Sequence, residues 1–191
     1  MARVQFLKSL SLVAGLVLGG AMSANAADVF SIRSSAFEDN GQLQKKHGGI
    51  SPINKNCRGD NISPPLSWTA GPEGTKSYVL MMWDPEGRMG VGVSHWVAYG
   101  IPVNVTSLAE GEATQDSKSI VGGKNASDTI VYFGPCPAPN TGSHHYVISL
   151  IATDLEPNAL KSGMTREEVM VAIQGHGKAV TAMVARMAYM P

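Results

Sequence analysis

The sequence predicts a mainly β fold, an antiparallel β-sandwich with one or two short helices, and three observations predict it. Residues 76–83, 95–102 and 146–152 are apolar runs of strand length, bounded by turn-forming residues. The connections between them are long and rich in proline and glycine. The one well-signalled helix comes late, near the C-terminus, after the strands have been laid down.

The chain opens with Arg3 and Lys8, an apolar run over residues 10–18, and Ala24-Asn25-Ala26 as a small-x-small cleavage site. Residues 1–26 therefore read as a secretory signal peptide. An uncleaved anchor is the alternative, but Gly15 and Gly19-Gly20 interrupt the run, which falls short of the roughly 20 residues a spanning helix needs. The expectation is a periplasmic or secreted protein with no membrane span after cleavage. Residues 27–191 are long enough for one domain with its own core. Cleavage removes Arg3 and Lys8 and no acid, leaving 13 basic against 15 acidic side chains. With no basic stripe, no nucleic-acid partner is expected.

Two cysteines in an exported chain most simply pair. A Cys57–Cys136 disulfide would close a loop spanning 79 positions, worth up to about 4.5 kcal/mol by chain entropy. Free thiols and intermolecular bonds are the alternatives. No CxxC or CxxH spacing accompanies the pair, so a metal centre built on it is not expected.

Val29-Phe30-Ser31-Ile32 alternates and predicts a first strand. Residues 37–65 lack periodicity and are rich in Gly, Asn, Lys and Pro; a structureless stretch this long in a compact domain is functional or pinned down, and Cys57 offers the pin. Ser63-Pro64-Pro65 leads into a short strand at 66–68, with the prolines holding it at an edge or an entry. Residues 76–83 are continuously apolar, which predicts a strand covered on both faces. Residues 85–94 form a glycine-rich loop before the strand at 95–102, and 103–125 is mostly polar connection. Near the C-terminus Thr165-Arg166-Glu167-Glu168 is a capping box, with Met164 and Val169 as its hydrophobic staple. Gly175 and Gly177 end that helix, and Val180, Thr181 and Val184 favour a last strand over more helix. Trp68, Trp83, Trp96 and the methionines in apolar runs read as core.

Candidate chemistry gathers at strand ends. Asp84 closes one strand and His95 opens the next, so an antiparallel pairing brings both side chains to one end of the sandwich. His144 also opens a strand. A carboxylate beside an imidazole orients the ring and favours its charged form. Taken singly, each reads more readily as a turn Asp or a structural His. His47 reads as a solvated loop residue, and His176 as a packing or capping group.

Six segments taken together say more: Ser63-Pro64-Pro65-Leu66-Ser67-Trp68, Pro72-Glu73-Gly74-Thr75-Lys76-Ser77, Trp83-Asp84-Pro85-Glu86, Ser94-His95-Trp96-Val97, Gly123-Lys124-Asn125, and Gly134-Pro135-Cys136-Pro137 with His144-His145-Tyr146. In this order they resemble the phosphatidylethanolamine-binding protein family, which includes the Raf kinase inhibitor proteins, and are most similar to its exported bacterial branch. The resemblance spans residues 29–189. It implies a two-sheet antiparallel β-sandwich with a small pocket that accepts anions, phosphoryl head groups among them. It further implies Asp84 and Pro85 as one wall, His95 as another, Gly134, Pro135 and Pro137 as a third, and His144 with Tyr146 completing the site. Imidazole N–H, phenol O–H and loop N–H groups would donate to phosphate oxygens. Asp84, which repels phosphate, would stand behind, accepting from His95 or from loop N–H groups, or would meet an ammonium head group. Glu86 stands where the family commonly has Asp, and its extra methylene would carry the carboxylate outward. Ala138 replaces a common proline, and His145 a common arginine.

Strand parity makes one sharp expectation: His144 and Tyr146 share a face and His145 points away. The leading function is an exported binding protein for a small anionic or phosphorylated ligand, with no cofactor and no metal. The alternative is an interaction protein that inhibits a kinase or protease. An enzyme ranks third, because the chain has no Gly-x-Ser-x-Gly elbow, no His-Glu-x-x-His helix and no phosphate-binding Walker loop.

Overall fold

The computed structural model describes residues 29–114 and 120–190; the expected signal peptide lies outside them. Among these residues, nine strands form two sheets. The larger is built on β4 (Ser77–Asp84), with β5 (Val93–Pro102) on one side and β8 (Ser143–Thr153) on the other. β9 (Gly177–Ala188) pairs outside β8, β7 (Val121–Gly123) outside β5, and the two-residue β2 (Gly41–Gln42) closes the far edge against β9. The smaller sheet pairs β1 (Ile32–Arg33), β3 (Leu66–Trp68) and β6 (Ser107–Leu108).

The sandwich expectation holds, with one correction: β2 runs parallel to β9, so the larger sheet is mixed. A two-residue edge strand has no apolar period to announce it. The first strand also starts later than the alternation at 29–32 suggests: Val29 is 81 % exposed, and although Phe30 stacks on Tyr78, strand pairing begins only at Ile32. β3 sits between two partners, with its prolines at the entry.

Continuous apolarity in β4 has the predicted cause, since both faces of the sheet are covered. Tyr78, Leu80 and Met82 face the small sheet and the irregular segment, joining Trp68, Trp96, Ile148 and Leu150. Val79 and Met81 face the other way, against Val169 and Ile173 of the helix Arg166–Ala172. That helix begins as its sequence predicts. Thr165 accepts from the Glu168 backbone N–H, and Glu168 accepts from that of Thr165. Gly175, at φ 80°, follows its end, in a conformation that costs glycine little.

β5 carries the irregularity that matters for the site. Its pairing with β4 jumps from Met82↔Trp96 to Trp83↔Ser94, leaving His95 without a partner. A bulge of this kind re-aims a side chain. Here His95 and Trp96 both turn inward, toward Tyr146 and Tyr132 respectively. No helix among the described residues is long and apolar enough to cross a membrane.

Candidate functional site

The antiparallel register carries Asp84, His95 and His144 to one end of the large sheet, where they border a cavity of about 540 Å³. The other walls come from three connections. Glu86–Met89 folds over one side. Ala126 and Ser127 form another, in a turn shaped by the buried Asn125, whose Oδ1 accepts from the Ser127 and Thr129 N–H groups. Phe133, Pro137, Ala138 and Thr141 form the third.

Asp84 is buried and anchored on both oxygens. Oδ1 accepts from the backbone N–H groups of Glu86 and Gly87, at 2.9 and 3.0 Å. Oδ2 lies 2.8 Å from His144 Nδ1 and 4.0 Å from His95 Nε2. The loop N–H groups meet the expectation, but the near histidine is His144 and not His95. Burial raises the Asp84 pKa, and the His144 hydrogen bond opposes the rise.

Proton positions follow from the partners. His95 Nδ1 faces the Phe133 carbonyl at 2.8 Å; a carbonyl only accepts, so Nδ1 carries the proton. Burial pushes the His95 pKa down to about 4, against the pull of that carbonyl. At neutral pH its Nε2 is therefore a bare lone pair turned toward the cavity. On the far ring, Thr141 Oγ1 donates to the Ala138 carbonyl at 2.7 Å and so accepts from His144 Nε2, at 3.1 Å. One further proton lies between His144 Nδ1 and Asp84 Oδ2.

The parity expectation matches the geometry. His144 and Tyr146 are buried on the inner face, whereas the His145 ring is 41 % exposed and pairs with Glu86 Oε1 at 2.7 Å. The Glu86 carboxylate has indeed swung outward to that ring, yet still borders the cavity. Burial resists its ionisation but is outweighed by the His145 side chain and backbone N–H, which hold its pKa at about 2.

Four expected wall residues do not line the cavity. Pro85 is exposed beside it. Tyr146 lies behind the histidine rings, edge-on to His95 and stacked on His144, and its hydroxyl has no hydrogen-bond partner. Gly134 and Pro135 pack away from the cavity, against residues 47–49: Gly49 N–H donates to the Pro135 carbonyl, and a Cβ on Gly134 would overlap the His47 carbonyl oxygen. Only glycine permits that approach. Pro137 does line the wall.

The segment behind the wall corrects the reading of His47. It is fully buried, its Nδ1 donates to the Ile62 carbonyl at 2.8 Å, and its own carbonyl accepts from Tyr132 Oη at 2.7 Å. The Cys57–Cys136 disulfide ties the same two segments together. His176 pairs with Asp154 at 2.7 Å, far from the cavity.

Sequence reasoning gave no role to Phe133 or Arg88. The Phe133 ring stacks on His95, with centroids 5.5 Å apart, and Arg88 brings an exposed guanidinium to the rim. Arg88 and Met89 both adopt left-handed backbone, at φ 51° and 56°; the glycines at 87, 90 and 92 hint at a contorted loop without showing where it leads.

Residues 33–187 match the phosphatidylethanolamine-binding protein family. The chain belongs to that family. Among its relatives, a UPF0098 protein of Methanothermobacter thermautotrophicus is 36 % identical over 147 residues, covering 76 % of this chain and 89 % of its own. The UPF0098 protein YbcL of Escherichia coli is 30 % identical over 152 residues, covering 76 % and 80 %. The crystal structure of YbcL superposes with a TM-score of 0.76 at 27 % identity, over 84 % of this chain and 99 % of that one. A homologue from Chlamydia trachomatis gives 0.71 at 29 %, over 84 % and 98 %. A Mycobacterium tuberculosis relative, 34 % identical over 140 residues that make up 71 % of this chain and 63 % of its own, bears the name putative lipoprotein LppC.

Proposed function

We propose that this family member is an exported binding protein whose preformed cavity takes the polar head of a small phosphorylated ligand. The observation that carries the reading is the convergence of Asp84, His95 and His144, from three strands, on a cavity of about 540 Å³. A site built on sheet ends is already in place before the ligand arrives, so little ordering cost is charged to binding. The donors for a phosphoryl group stand at the rim, in the Arg88 guanidinium and the Asn54 side-chain amide, because the His95 N–H is spent on Phe133. Export agrees with the disulfide, which oxidising compartments preserve.

A binding role is favoured over catalysis by the direction of one hydrogen-bond chain. Thr141, His144 and Asp84 stand in the order of a nucleophile triad, but the hydroxyl proton goes to Ala138 and His144 donates to Thr141. A general base must accept there. A second reading, inhibition of a protein target, draws on the exposed Ile53 and Met89, at 92 % and 101 %, on the walls of the cavity and of the groove beside it.

Calorimetric titration with phosphoethanolamine tests the first reading. Saturable binding is expected that weakens at least about tenfold in Arg88→Ala, which loses a charge-assisted contact of roughly 1.5–3 kcal/mol, and that also weakens in His144→Ala, which removes a cavity wall and leaves Asp84 Oδ2 without its ring partner. Binding equal in all three proteins, or absent from the parent, would reject it.

A further inference from the structure

The charges that line the cavity are unbalanced for the ligand proposed. They include two carboxylates, Asp84 and Glu86, and one guanidinium, Arg88. An oxygen of Asp84 and one of Glu86 lie within 4.8 Å of each other. An arriving anion would meet two like charges against one opposite charge, unless both carboxylates are engaged elsewhere. Both are. Asp84 is engaged from within, by the Glu86 and Gly87 N–H groups on Oδ1 and by His144 on Oδ2. Glu86 is engaged from outside, by a residue that does not line the cavity.

We infer that His145 is a positioning residue that makes the mouth of the cavity receptive to an anion, by engaging both oxygens of Glu86. Its ring Nδ1 lies 2.7 Å from Glu86 Oε1, and its backbone N–H donates to Oε2 at 3.2 Å. A carboxylate only accepts, so Nδ1 carries a proton there. The inference rests on the phosphoryl reading of the cavity and names what lets that site take its charge.

Two features of the fold set this contact apart from an incidental surface pair. The two-residue period of β8 turns His144 inward and His145 outward, so adjacent residues engage the two carboxylates from opposite faces of one strand. The Glu86 backbone is in turn fixed by Asp84, through the N–H that donates to Oδ1. Its side chain is then left with two directions, toward the His145 ring or back toward the cavity. Arg88 stands two residues along the same loop and makes no ion pair among the described residues; its guanidinium donates to the Ala126 carbonyl at 3.3 Å. A Glu86 carboxylate released from His145 would repel an anion at the mouth and compete with it for that guanidinium. Removing such a repulsive element is as much a part of specificity as adding an attractive one.

The test is calorimetric titration with inorganic phosphate of the parent, His145→Ala, His145→Arg and the double variant His145→Ala/Glu86→Gln. The pair is 41 and 42 % exposed, so its loss costs little stability, and thermal melts confirm that each variant folds. Phosphate should bind His145→Ala at least about threefold more weakly than the parent, the scale of one like charge a few ångströms away in a solvated site. The affinity should return in His145→Arg, which keeps a donor to Glu86, and in the double variant, which has no carboxylate to engage. Unchanged affinity in His145→Ala, or a loss that Glu86→Gln does not restore, overturns the inference. Phosphate binding absent from the parent would reject the phosphoryl reading and leave the hold on Glu86 to a ligand-free measurement, ¹³C NMR of its carboxyl between pH 6 and 3.5. In the parent, with its pKa at about 2, that carboxyl should stay ionised, and in His145→Ala it should take up protons within the range. Such a difference upholds the positioning role of His145. A Glu86 carboxyl that titrates alike in both proteins overturns it, whatever phosphate does.

Discussion

His47 and His95 share their local chemistry and differ in what one nitrogen faces. Both rings are buried, at 0 and 3 % exposure, and each Nδ1 donates to a backbone carbonyl 2.8 Å away. Burial lowers both pKa values. They part at Nε2. That of His47 is sealed in the interior without a partner, with the nearest carboxylate, Glu110, 3.9 Å away. That of His95 opens on the cavity, beside Asp84. One histidine holds the irregular segment in place, and the other presents a lone pair to the cavity. Neither burial nor a depressed pKa distinguishes a site histidine from a structural one; the surroundings of the second nitrogen do.

The largest effect should fall on the structural side. Replacing both cysteines by serine releases a 79-residue closure and should lower stability by as much as about 4.5 kcal/mol, read as the shift in urea midpoint. His47→Ala comes next, at about 3 kcal/mol, because it opens a cavity and strips the Ile62 carbonyl of its donor. Measured where the variant is folded, its phosphoethanolamine affinity should stay within about twofold of the parent. His95→Ala should cost less stability, about 1–2 kcal/mol, since its site already adjoins open volume, yet it should remove binding. If His47→Ala lost binding as fully as His95→Ala, the division between the two rings would collapse.

The pH dependence of stability should then reveal both rings together. Each folded pKa lies below the unfolded value of 6.5, so near neutral pH both forms are deprotonated and stability is complete. As pH falls through 6.5 the unfolded chain gains protons that the folded one refuses, and stability declines. The His95 contribution to that decline ends at its folded value of about 4. The slope contributed is at most about 1.4 kcal/mol per pH unit per ring. Urea midpoints between pH 7.5 and 5 check it, and His47→Gln should flatten the curve. The smallest effect belongs to His145→Ala. Its pair with Glu86 is 41 and 42 % exposed, so stability should change by less than about 1 kcal/mol.

What the sequence made legible is what has a local period or a local cap. The apolar runs place β4, β5 and β8, the capping box places the helix, and the two-residue strand repeat separates His144 and Tyr146 from His145. The irregular segment has no period. Its order comes from contacts such as Tyr132 Oη to the His47 carbonyl, 85 positions apart, which no window of sequence contains. For the same reason Gly134 and Pro135 read as wall when they are in fact the seat of that segment. The site shows the limit again. Residue types fix which groups can ionise, but the bulge that turns His95 inward and the carbonyl that takes its proton appear only once β5 is paired.

The most direct test is ¹⁵N NMR of histidine-labelled protein titrated with phosphoethanolamine at pH 7. Of its five histidines, His95 should begin as the neutral tautomer with the proton on Nδ1. His95 and His144 should then shift together along one binding curve while His47 and His176 stay still. Unmoved His95 and His144 signals, or a His47 signal that shifts with them, would contradict the account.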